Sequence, residues 1–159
     1  MCKARDVAVV MINKSIDLAK EKNDDRYFMD FVKLHKLLYL GQCFILSRYG
    51  MRLFEDSISA HRCGPYVDGI GFIPAEYGFE TLKEKITKSR NGMPFLPISY
   101  SRAETVDFIL GKYGTRTTDE IVLITKGTSA YAAYKGSYDK HLIIQPDAMA
   151  KSGKQLFGA

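Results

Sequence analysis

The sequence predicts a mainly α fold: a single-domain helical bundle around a central helix, with a small β-hairpin or strand insert. Three observations carry this. Residues 31–50 repeat apolar side chains at the helical period. Further amphipathic stretches flank them on both sides. Between these, after Gly50, the period vanishes and turn residues take over.

The central stretch has Leu34, Leu37, Leu38, Gly41 and Ile45 at i, i+3, i+4, i+7 and i+11. Asp30 stands at the N-cap position and Gly50 at C′. Leu40 and Phe44 widen the apolar face, so this helix is expected to be gripped on more than one side. His35, Tyr39 and Gln42 form a second row at spacings of four and three, on one face. Such a row is either an internally bonded polar seam or part of a surface that meets a partner.

Before it, Asp6 to Lys22 reads as an amphipathic helix with Ala8, Met11, Ile12, Ile16 and Ala19 on its apolar face. Lys20 and Lys22 suit the negative pole of its dipole. Asn23 to Asp25 make a short polar link, and the two helices are expected to pack as a hairpin. After Gly50, Ile58 to Arg62 alternates as a short strand would, and Gly64–Pro65 reads as a turn. Gly69, Gly71 and Pro74 limit the next segment to a short or broken helix. Thr81 to Thr87 fits either a helical turn or an edge strand. Lys88 to Pro97 reads as a loop, with a hairpin across Asn91–Gly92 that would set Ile86 and Phe95 on facing strands.

Helix returns in the second half. Ser101 with Glu104, and Thr117 with Glu120, have capping-box spacing. Val106, Ile109, Leu110 and Tyr113 follow the first; Ile121, Val122 and Ile124 follow the second. Ser129 to Lys135 suggests one more short helix. After the apolar trio Leu142 to Ile144, Pro146 has the place of a helix N1 residue with Asp147 in its first turn. Residues 1–150 are expected to form the domain, and 151–159, small and polar, a frayed tail.

Composition bounds the function. With 159 residues, 46% hydrophobic and 26% charged, the chain suits one globular domain. Its apolar runs are too short for a bilayer, and the N-terminus lacks a signal-peptide pattern, so the cytoplasm is expected. Cys2, Cys43 and Cys63 are widely spaced and His35, His61 and His141 are scattered, without the spacing of a structural zinc site. No cofactor is expected. The net charge of +5 and pI of about 9.0 admit an acidic protein or a nucleic acid, but the basic residues are spread along the chain rather than gathered on one face. No phosphate-binding glycine loop or nucleophile elbow occurs. His61 and Cys63 would make a poor nucleophile pair without a third, orienting group. The residues thus point away from an enzyme.

The segment from Leu34 to Val67 resembles the Panacea antitoxin-domain family, the phage-associated group that includes SocA-like antitoxins. The resemblance rests on Leu34, Lys36, Leu37, Leu38, Tyr39 and Gln42, then Tyr49–Gly50, Leu53–Phe54, Ala60 and Gly64–Pro65. The pairs Tyr77–Gly78 and Tyr113–Gly114 and the segment Thr118 to Thr125 extend it, so that it spans Val7 to Tyr134. The chain departs from the pattern at His35, where a glutamine is usual, and at His61, where an aromatic is. Ile124–Thr125–Lys126 replaces a late Leu-Thr-His, and Ala130–Tyr131 a Pro-Trp. The resemblance implies an antitoxin that neutralises a cognate toxin protein by binding it. For some relatives it implies a further role as adaptor to a protease, such as a Clp-type machine. The candidate contact residues are His35, Tyr39, Gln42, Arg62, Gly64, Pro65 and Tyr66. A homodimer stays open, as does the alternative of a nucleic-acid-binding regulator of its own operon.

Overall fold

The computed structural model describes residues 2–87 and 94–158. It is mainly helical, with one two-stranded antiparallel sheet among the described residues. The elements are α1 (Ala4–Glu21), α2 (Phe31–Tyr49), β1 (Ile58–His61), β2 (Gly64–Val67), α3 (Phe72–Tyr77), α4 (Tyr100–Tyr113), α5 (Thr118–Lys126), α6 (Ser129–Ala132) and α7 (Pro146–Phe157).

Helix α2 is the centre of the bundle. Asp30 Oδ1 accepts the Lys33 N–H at 2.8 Å, and Gly50, at φ 66°, closes the other end in the left-handed region. Leu34, Leu37, Leu38, Leu40, Cys43 and Ile45 are all fully buried. Because they point around the whole circumference, α2 is packed against α7, α4, α5 and β2 together.

The expected α1–α2 hairpin is corrected. Helix α1 lies more extensively on α4 than on α2. Asn23 takes a positive φ of 49°, residues Asp25–Tyr27 form a 3₁₀ turn, and the chain then runs extended into α2, so the link is longer than the short polar turn expected. The largest contact of α2 is instead with α7. Here the expected frayed tail is corrected too: Lys151 to Phe157 continue the helix. Gly153 sits against the Cys43 carbonyl so closely that a β-carbon there would overlap it. Ser152 Oγ accepts the Ala130 N–H at 2.9 Å. The small residues that made this segment look like a tail are what let two helix backbones approach.

The two capping boxes divide. Thr117 Oγ1 accepts the Glu120 N–H at 3.2 Å and its hydroxyl donates to Glu120 Oε1 at 3.1 Å, so this helix start forms as expected. Ser101 does not cap: α4 starts two residues earlier than that cap would set it, with Ser99 at the N-cap position, and the Ser101 carbonyl accepts the Thr105 hydroxyl at 2.9 Å inside the helix. Arg102 anchors this entry by donating to the carbonyls of Arg52 and Leu53 and to Ser99 Oγ.

The expected turn at Gly64–Pro65 is also shifted. Both residues belong to β2, and the hairpin reverses at Arg62–Cys63, with Ala60 opposite Pro65 and His61 opposite Gly64. Proline fits because the Ala60 N–H points the other way, to the Leu142 carbonyl at 2.8 Å. Ala60 and Pro65 are therefore a non-hydrogen-bonded pair, where a missing N–H leaves no gap in the ladder. Leu142 to Ile144 lie along the free edge of β1, with the Ile144 N–H on the Ile58 carbonyl at 2.8 Å.

Residues 81–87 form neither a helix nor a named strand; an isolated antiparallel bridge joins Leu82 to Met29. The Leu82 N–H donates to the Met29 carbonyl, and the Asn13 side chain clamps both backbone groups of Ile86 at 2.9 and 3.0 Å. The expected turn at Asn91–Gly92 lies outside the described residues.

Candidate functional site

Where α2 meets the hairpin, a cavity of about 370 Å³ opens to the surface. Phe31, Val32, His35 and Lys36 line it from α2; His61, Arg62, Cys63, Gly64 and Tyr66 from the hairpin; Phe79 and His141 from the loops beside them. Residues 31, 32, 35 and 36 share a helix face by their three- and four-residue spacings.

Its walls are a run of aromatic rings. His35 meets Phe31 edge-on, with centroids 4.4 Å apart, and lies roughly parallel to Tyr66 at 4.3 Å. Tyr66 in turn stacks on His61 at 4.7 Å, and His61 on His141 at 3.8 Å. Phe79 approaches Phe31 edge-on. The His61 ring is further fixed by a 2.9 Å hydrogen bond between Nε2 and Ser59 Oγ. The Tyr131 hydroxyl holds the turn itself through the His61 and Arg62 carbonyls.

Two polar groups sit among these rings. His35 is 3% exposed, and its Nδ1 accepts the Val67 N–H at 2.9 Å. Burial, with Lys36 and His61 nearby, pushes its pKa down to about 3, so the ring is neutral at pH 7. A neutral imidazole that accepts at Nδ1 carries its proton on Nε2, and that N–H has no hydrogen-bond partner among the described residues. Lys36 is also buried, its Nζ donating to the Pro65 carbonyl at 2.9 Å. Burial lowers its pKa to about 8. Gly64, at φ +116°, leaves room for this lysine: a β-carbon there would meet Lys36 Cε at 2.8 Å.

The structure divides the contact residues expected from sequence. His35, Arg62, Gly64 and Tyr66 come together around the cavity. Pro65 is buried and takes part only through its carbonyl. Tyr39 and Gln42 are corrected as contact residues, being 0% and 2% exposed. The Tyr39 hydroxyl bonds Thr128 Oγ1 at 2.7 Å. The Gln42 amide accepts the Leu53 N–H at 2.6 Å and donates to the Phe54 carbonyl at 3.1 Å. This part of the row is an internal seam that ties α2 to the chain after it and to the start of α6. Arg62 is the exposed member at the mouth, paired with Asp139.

Phe31, Val32, Phe79 and His141 were not singled out by sequence. The four-residue step from Phe31 to His35 is a signal that could have found the first. Nothing local links His141 to His61. Among the described residues no cluster of three or more His, Cys, Asp or Glu side chains is placed to hold a metal ion, and no helix is long and apolar enough to cross a membrane.

Comparison of the chain with protein-family models, with curated proteins and with solved structures found no match.

Proposed function

We propose that this chain is an antitoxin that acts in the cytoplasm, neutralising a cognate toxin protein by binding it with the face that carries the α2–hairpin cavity. The observation that supports this most is convergence: Lys36 and Gly64, two of the residues that carry the resemblance to the Panacea family, line one open cavity with Arg62 and Tyr66. Its rim carries Val32, 42% exposed, and Phe79, 70% exposed, so apolar surface continues outward from the cavity. Tyrosine and arginine at such a rim supply large contact area and forked hydrogen bonds. The seam beneath, from His35 to Val67 and from Gln42 to Leu53 and Phe54, holds the face rigid before binding, which lowers the entropic cost of association.

The test is growth. Candidate toxins are the products of the genes beside this one, each expressed alone and together with this chain. One of them is expected to arrest growth alone and to be relieved by the wild-type chain, with relief reduced by Arg62→Glu. Absence of relief for every neighbouring product that arrests growth would overturn the reading.

A further inference from the structure

The cavity has a chemical character that goes beyond a contact surface and stands independently of the antitoxin reading. His35 lines the cavity, and its buried Nε2–H has no acceptor among the described residues, so a ligand oxygen that reaches it satisfies a donor the fold leaves unpaired. Lys36 is the second such group. It is 4% exposed, it donates to one carbonyl, and among the described residues no carboxylate pairs with it. An ammonium has three N–H donors, so donors remain. A buried cation without a counter-charge favours an anion brought in from outside. Around these two donors the walls are ring faces and edges from Phe31, Tyr66, His61 and Phe79, which match a flat aromatic group by stacked or edge-on contact. About 370 Å³ is within the usual size range of small-ligand pockets.

We propose that this cavity binds an aromatic carboxylate, its ring held between the aromatic walls and its carboxylate accepting from His35 Nε2–H and Lys36 Nζ. The requirement is for both parts together. An aromatic group without an anion leaves Lys36 uncompensated, and an anion without a ring leaves the walls unfilled. Two sources have this chemistry: a free aromatic acid, and a polypeptide that ends in an aromatic residue.

The test uses the full chain labelled with ¹⁵N-histidine and three probes: phenylacetate, phenylacetamide, and acetyl-Gly-Gly-Phe with a free C-terminus. Imidazole resonances are followed by NMR during titration. At least one of the two acids is expected to shift the His35 Nε2–H signal saturably, while the amide binds about tenfold more weakly or worse. Lys36→Met is expected to erase most of the difference between the tighter acid and phenylacetamide. The acid that binds more tightly identifies the source: phenylacetate a free acid, the peptide a chain terminus. No saturable shift of His35 with either acid would overturn the proposal. So would binding of phenylacetamide to the wild-type chain as tight as that of the tighter acid, a comparison that needs no variant to fold.

Discussion

His35 Nδ1 accepts the backbone N–H of Val67 at 2.9 Å, so one hydrogen bond both docks the hairpin on the central helix and fixes the proton of that imidazole on its other nitrogen. The ring is buried where a positive charge would find Lys36 and His61 rather than a carboxylate. The fold and the site therefore depend on the same neutral histidine.

Stability should fall with acid in a defined window. The His35 pKa is about 3 in the folded chain, against 6.5 for an unperturbed histidine. Above 6.5 both states are neutral and the group contributes no pH dependence. As pH falls from 6.5 toward 3 only the unfolded chain takes up the proton, and stability drops by about 1.4 kcal/mol per pH unit from this group. Urea denaturation of the wild type and of His35→Gln between pH 7 and pH 4 should show the steeper loss in the wild type; parallel curves would contradict it.

The α2–α7 contact predicts a large effect from a small change. Gly153→Ala places a methyl group against the Cys43 carbonyl and Ser47 Oγ. Backbone cannot yield as a flexible side chain does, so a loss of about 1–3 kcal/mol is expected. The measurement is the urea midpoint. An unchanged midpoint would mean that α7 does not pack on α2 as described.

The buried seam makes an unequal pair. Gln42→Leu leaves the Leu53 N–H and the Phe54 carbonyl without their partner, at about 1–3 kcal/mol each. Tyr39→Phe removes one hydroxyl, and Thr128 Oγ1 still donates to the Thr125 carbonyl at 2.7 Å, so about 0.5–1.5 kcal/mol is expected. Thermal or urea unfolding of both variants should rank Gln42→Leu as clearly the less stable.

The central helix was legible because its information is local: period, N-cap and C-terminal glycine all lie within residues 30–50. The hairpin was legible in kind but not in register, since Gly64 and Pro65 have turn chemistry and only the edge contact with Leu142 explains how β2 tolerates a proline. The end of the chain hides its helix from sequence for a physical reason. Ser152 and Gly153 carry little hydrophobic signal, yet smallness is what close helix packing needs, and the need is visible only beside Cys43. In the site, helical spacing put His35, Tyr39 and Gln42 on one face, but not which of them faces the cavity. His35 reaches it at the hairpin, while Tyr39 and Gln42 are covered by residues distant in sequence, so no local pattern could separate them.

Arg62 separates binding from folding. Its ion pair with Asp139 is almost fully solvent-exposed on both sides, so its removal should leave the melting temperature nearly unchanged. Arg62→Glu should therefore unfold like the wild type by circular dichroism; a marked fall would make it a structural residue.

The most direct measurement is a calorimetric titration of the purified neighbouring-gene toxin into the wild-type chain and into folded Arg62→Glu. The account predicts saturable binding to the wild type and an affinity at least about tenfold lower for the variant. Equal affinities, or a toxin neutralised in cells without binding the wild-type chain, would contradict it.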